Sequence, residues 1–176
     1  MSELTEAWQL GHKGISFYTR TYQPPSGSPR AALVFIHGFI EHVGRYEHVH
    51  RRWADEGFFV FAFDQRGFGR TALDEKKSRN SVYGQTNDAD QIHDIEWAVR
   101  VVQEANPTVP LFLMGHSMVR IFLHLLAVIF KFVDGSVYRA VHWYSHSRHA
   151  IIRWTPLRIY QGLLRLAPVF VSPNLH

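Results

Sequence analysis

Three stretches of the chain are apolar almost without interruption: AALVFIHG at residues 31–38, FFVFAFD at 58–64 and VPLFLMG at 109–115. Runs of this length and composition suit strands buried on both faces, as in a parallel sheet. A further stretch, ISFYTRTYQ at residues 15–23, is rich in β-branched and aromatic side chains and predicts a strand that ends at the PPSGSP loop. Between these stretches the period changes. From about Gly44 to Glu56, Tyr46, Val49, Trp53 and Ala54 recur at helical spacing, and Gly57 stands where a C-terminal cap belongs. NDADQIHDIEWAVRVVQEANP has an acid-rich first turn and an apolar face through Ile92, Ile95, Val99 and Val102, and closes at Asn106 and Pro107. It is the clearest helix in the chain. RGFGRTALDEKKSRNSVYGQ, residues 66–85, is Gly-rich, charged and aperiodic, so it predicts a long surface loop. Strands alternating with helices imply parallel strands joined by right-handed crossovers.

Beyond the third apolar run, Met118 to about Phe132 is apolar nearly all round and predicts a core helix. VYRAVHWYSHS, residues 137–147, predicts a strand, and RWTPLRIYQGLLRLAP has helix-like spacing at Leu157, Tyr160, Leu164 and Ala167. The longest apolar stretch, IFLHLLAVIFKF, is broken by His124 and Lys131 and is shorter than the roughly 20 residues of a membrane-spanning helix. The N-terminal MSELTEAWQLGHKG lacks the apolar core of a secretory signal, so the expected location is intracellular, cytoplasmic or peripheral on a lipid droplet or membrane surface.

Composition narrows the chemistry. The 176 residues, 46% hydrophobic and 14% aromatic, fit one soluble globular domain. There is no cysteine, which excludes disulfides, thiolate metal sites and a cysteine nucleophile. Residues 1–118 carry 12 Lys and Arg against 14 Asp and Glu, whereas residues 119–176 carry seven against one. The character of the chain changes at residue 119. Such a basic, aromatic segment suits peripheral contact with an anionic membrane. Its arginines are scattered singly and no nucleic-acid signature accompanies them, so no nucleic-acid partner is expected. HWYSHSRH at residues 142–149 has no usual metal-ligand spacing, and neither metal nor cofactor is expected.

The candidate chemistry is Gly115-His116-Ser117-Met118, a serine between a predicted strand and a predicted helix. A sharp strand-to-helix turn exposes a serine Oγ, and the helix N-terminus beneath it offers N–H groups to a developing oxyanion. Three segments, FIHGFIEHVGRYEHV at 35–49, FAFDQRGFGRT at 61–71, and DIEWAV with VPLFLMGHSM at 94–99 and 109–118, resemble the α/β-hydrolases, and within them the monoacylglycerol lipase-like or serine aminopeptidase S33 group. The resemblance covers about residues 30–118. It implies a partial α/β-hydrolase fold, a mostly parallel sheet flanked by helices, with residues 1–118 as the N-terminal half of the core up to the nucleophile elbow. Residues 119–176 would be a divergent segment, the elbow helix plus a remnant of a cap. It further implies a serine ester hydrolase of lipid metabolism acting on a lipid ester or acylglycerol, with Ser117 as nucleophile. The backbone N–H groups of Phe39 and Met118 would form the oxyanion hole, and Asp64, Gly67 and Gly69 match the group's loop after the second buried strand, with Asp64 structural and not a triad member. His37 and His116 are read as residues that position the loop and pack the elbow.

The chain departs from that group at Val119 and Arg120, where the pattern has Gly and small residues, and only one acid, Asp134, follows Ser117. His124, His142, His146, His149 and His176 match no triad position. The expectation is therefore impaired catalysis, or alternatively a non-catalytic fragment or pseudoenzyme, produced by an altered reading frame or gene model, that lacks the triad Asp and His. A membrane-surface binder is the third reading. Oligomeric state is left open, although an unfinished sheet edge favours self-association.

Overall fold

A computed structural model describes residues 1–116 and 139–143. They form one mixed sheet in the order β1-β2-β4-β3-β5-β6, with β1 at Glu3–Leu10, β2 at Ser16–Gln23, β3 at Ala31–Ile36, β4 at Phe58–Phe63, β5 at Leu111–His116 and β6 at Arg139–Trp143. β1 and β2 pair antiparallel, as do β2 and β4. From β4 through β3 and β5 to β6 every pairing is parallel. Helices α1 (Glu47–Asp55), α2 (Gly69–Leu73) and α3 (Asp88–Ala105), with 3-10 turns at His12–Gly14 and Val43–Tyr46, complete the described elements. The expected mostly parallel sheet flanked by helices is the fold observed.

The uninterrupted apolar runs follow from burial on both faces. In β3, Ala32, Val34 and Ile36 pack with Phe61, Phe63 and Leu113 against Ile95, Ala98, Val99 and Val102 of α3. The alternate residues, Ala31, Leu33 and Phe35, pack with Val60, Ala62 and Phe112 against Val49, Trp53 and Ala54 of α1. Successive strand side chains point to opposite faces, so a strand with a helix on either side needs apolar residues at every position. Each large side chain sealed in this way contributes about 1.5–3 kcal/mol.

Helix boundaries follow their local chemistry. The Asn87 side chain accepts from the Asp90 N–H at 2.9 Å and starts α3, as the acid-rich first turn predicts. Gly57 ends α1 at φ +92, its N–H donating to the Ala54 carbonyl at 2.9 Å. The expected helix from Gly44 is in fact a 3-10 turn, Val43–Tyr46, followed by α1.

Two expectations change. β1 was not anticipated, because Glu3 and Glu6 break the apolar alternation of ELTEAWQL. Glu6 is accommodated by Arg20 of β2 at 2.7 Å and by Arg70 at 3.6 Å, partners distant in sequence. The segment 66–85 is mostly irregular, as its composition predicts, but it contains α2. β6 falls within the strand expected at 137–147, whereas the helices expected at 118–132 and 153–168 lie outside the described residues. Among the described residues no helix is long and apolar enough to cross a membrane.

Candidate active site

Parallel pairing brings the C-terminal ends of β3, β4 and β5 to one edge of the sheet. The register pairs Ile36 with Gly115 and Phe35 with Ala62. The loop opening at His37 therefore lies between the one opening at Asp64 and His116, the last residue of β5. The crevice outside the carboxyl ends of parallel strands is where open α/β sheets hold ligands.

His37 ties two of these loops together. It is fully buried, and its Nδ1 donates to the Gly38 carbonyl at 2.8 Å, which leaves Nε2 to accept the Gln65 N–H at 2.9 Å. The Gln65 side chain returns a hydrogen bond to the His37 carbonyl at 2.6 Å. Burial holds the His37 pKa below the ordinary imidazole value, outweighing the Gly38 hydrogen bond, so the ring is neutral at pH 7. The loop-positioning role expected for His37 has this geometry. It also removes His37 as a general base, because its unprotonated nitrogen is already occupied.

Asp64 organises the next loop. Its Oδ1 accepts from the Val43 N–H and its Oδ2 from the Arg70 N–H, both at 2.7 Å, while its carbonyl accepts from the Thr71 hydroxyl. The carboxylate thus starts α2 and fixes the turn before α1, the structural role expected of it. Gly69 is required here, with φ +51 and a Cβ that would lie 2.2 Å from Asp64 Oδ2. Arg66 clamps the same loop to α3 through two hydrogen bonds to the buried Asp94, at 2.9 and 2.7 Å.

The third element is the turn from Gly38 to Glu41. The Glu41 N–H donates to the Gly38 carbonyl at 3.3 Å, and Glu41 Oε2 accepts the Gly38 N–H at 2.8 Å. The same oxygen accepts the Tyr46 hydroxyl and lies 3.2 Å from His116 Nδ1. Burial raises the Glu41 pKa, but hydrogen bonds from Tyr46, Gly38 and His116 outweigh it and hold the carboxyl below its ordinary value. There is no space for a side chain at Gly38, where a Cβ would come within 2.6 Å of Glu41 Oε2 and 2.9 Å of His116 Nδ1. Ile40 occupies the left-handed region at φ +58, which costs a β-branched residue about 1–2 kcal/mol.

Phe39 lies at the tip of this turn, about half exposed, with its ring edge-on to Phe68 at 5.3 Å. Among the described residues nothing accepts its N–H. Ser117 and Met118, which follow His116 in the chain, lie outside the described residues. Glu41 and Gln65 were not singled out in the sequence, and Tyr46 was read only as part of a helical face. Only Glu41 leaves a trace there, as an acid three residues after the loop glycine, the spacing at which a carboxylate can reach back to a backbone N–H.

A hairpin leading into parallel strands, helices on both faces and an HG-type turn beside a GHSM strand end define an α/β-hydrolase core. The family model of the serine aminopeptidase S33 hydrolases matches residues 27–118, and the chain belongs to that family. It is 34% identical over 94 residues to a monoacylglycerol lipase of Mycolicibacterium smegmatis, a match covering 53% of this chain and 31% of that protein. It is 35% identical over 98 residues to the monoglyceride lipase of Rattus norvegicus, covering 55% and 30%. A thermostable carboxyl esterase from Bacillus coagulans, solved in complex with glycerol, superposes with a TM-score of 0.65 at 27% identity, over 79% of this chain and 43% of the other. The chain is thus a monoglyceride lipase-like α/β-hydrolase, and it spans about a third of the length of these curated relatives.

Proposed function

We propose that this chain carries the nucleophile and oxyanion-binding part of a serine ester hydrolase acting on acylglycerol-like esters. The observation that carries the reading is the Gly38–Glu41 turn, fastened beside His116 with the Phe39 N–H uncommitted. Ser117 Oγ attacks the ester carbonyl and loses its proton to a base, and the tetrahedral oxyanion accepts hydrogen bonds from the Phe39 and Met118 N–H groups. Collapse expels the alcohol, protonated by the same base, and leaves an acyl-serine that water hydrolyses to the free acid. Loss of one such donor typically raises the barrier by about 3–4 kcal/mol. The base is neither His37, whose Nε2 is engaged by Gln65, nor His50, which is sealed beneath α1. Similarity to monoacylglycerol and monoglyceride lipases supports the substrate class.

Labelling of the purified chain with a fluorophosphonate probe tests this reading. The wild-type chain is expected to label and Ser117→Ala to remain unlabelled. A folded wild-type chain that does not label replaces the reading with that of a non-catalytic homologue.

A further inference from the structure

We infer that Glu41 is a positioning residue that sets the Phe39 N–H by holding the oxyanion turn to the serine-bearing end of β5. The inference rests on the hydrolase reading above and deepens it. Three features single out this carboxylate. Its Oε2 gathers donors from three separate places: the Gly38 N–H at 2.8 Å, His116 Nδ1 at 3.2 Å and the Tyr46 hydroxyl. Two of them, Gly38 and His116, are immediate chain neighbours of Phe39 and Ser117. One oxygen therefore spans the two segments between which an oxyanion would sit.

The second feature is direction. The Glu41 carboxylate holds the Gly38 N–H and so the peptide that enters the turn, and the next plane, shared by the Gly38 carbonyl and the Phe39 N–H, is held at that carbonyl by the Glu41 N–H at 3.3 Å and by His37 Nδ1 at 2.8 Å. Phe39 is left between two anchored residues with its own N–H uncommitted among the described residues. A donor pre-oriented in this way acts on a developing charge without reorganising. The third feature is the strain at Ile40, whose φ of +58 is unfavourable for a β-branched side chain and persists only where the surroundings impose it. The hydrogen bonds at either end of the turn, both made by Glu41, supply that constraint. Arg45 Nε, 3.5 Å from Oε1, adds a charge on the solvent side.

Glu41→Gln keeps the shape and one acceptor but removes the charge, and Glu41→Asp keeps the charge on a shorter arm. Two readouts on the full chain test the inference. The first is the rate of fluorophosphonate labelling of Ser117, with kcat and KM for a p-nitrophenyl ester. Glu41→Gln is expected to lower labelling and kcat by 10- to 100-fold with KM within about twofold, since an oxyanion donor acts in the transition state alone. Glu41→Asp should recover part of the loss. Labelling of Glu41→Gln within threefold of wild type overturns the inference, as does a loss confined to KM.

The second readout needs no activity. The Gly38 amide shift, followed by NMR, should titrate with the Glu41 carboxyl below about pH 4.5 in the wild type and stay flat in Glu41→Gln. If the wild-type chain fails to label, the hydrolase reading fails while this titration still decides the anchor: a titrating Gly38 amide supports it and an indifferent one overturns it.

Discussion

His37 and His50 are both fully buried imidazoles, on opposite terms. His37, at the edge of the sheet, uses both ring nitrogens and joins the loops after β3 and β4. His50, on the inner face of α1, lies among the rings of Tyr22, Phe35, Tyr46 and Trp53, and neither nitrogen has a hydrogen-bond partner among the described residues. Burial, with Arg20 and His48 nearby, lowers the His50 pKa to about 3. At the site edge a polar group organises backbone that has no ladder of its own. Under α1 it fills space as an aromatic ring would, and its nitrogens are a cost.

The contrast can be broken most severely at His37. His37→Ala leaves the Gln65 N–H without its buried acceptor, takes the imidazole donor from the Gly38 carbonyl and opens a cavity, and should destabilise the chain by about 3 kcal/mol in urea denaturation. A loss below about 1 kcal/mol would mean that the two loops are held by Asp64 and by the Gln65 side chain on the residue-37 carbonyl, without the imidazole.

Acid sharpens the contrast next. Between pH 6.5 and about 3 the unfolded chain binds a proton at residue 50 that the folded chain refuses, so stability falls as the pH drops. From pH 7 to pH 5 His50 should account for about 2 kcal/mol, a share absent from His50→Leu, with His37 acting in the same direction. Glu41 adds to the loss only lower, below about pH 4.5, because its depressed carboxyl contributes stability above that range and loses it as the folded form is protonated.

At pH 7.5 His50→Leu should raise stability by about 1 kcal/mol, the opposite sign to His37→Ala, because it removes two unpaired nitrogens and keeps the volume. A destabilisation of similar size would show that the four ring contacts outweigh the nitrogens. The smallest effect belongs to Ile40→Gly. Relief of the left-handed φ is partly offset by the freedom of glycine in the unfolded chain, for a net gain of about 0.5 kcal/mol.

What the sequence disclosed follows the same division. β3, β4, β5 and α3 were legible within one or two residues, since burial on both faces and an acid-rich first turn write themselves into adjacent positions. β1 was not, because Glu6 becomes acceptable only once Arg20 and Arg70 stand beside it. α2 was hidden for a related reason: it is started by the Asp64 side chain, six residues before Arg70, and not by a local cap. At the site, the resemblance pointed to Phe39 and to the positioning role of His37. Glu41 and Gln65 were missed, because their value lies in bonds to Gly38, His116 and His37 that only the folded loops bring within reach.

The sheet order has a consequence for how this edge comes into being. β3 and β5 lie side by side, yet Ala32 and Leu111, which pair across them, are about eighty residues apart along the chain. The β1–β2 hairpin needs only a short turn, but the floor of the candidate site needs the longest loop closure among the described pairs within residues 1–116. Loop closure must precede the reward of the contact, so nascent chains acquire the hairpin early and the paired strand ends late. Any partly folded form that keeps β1, β2 and β4 together without β5 would hold much of the secondary structure and none of the chemistry.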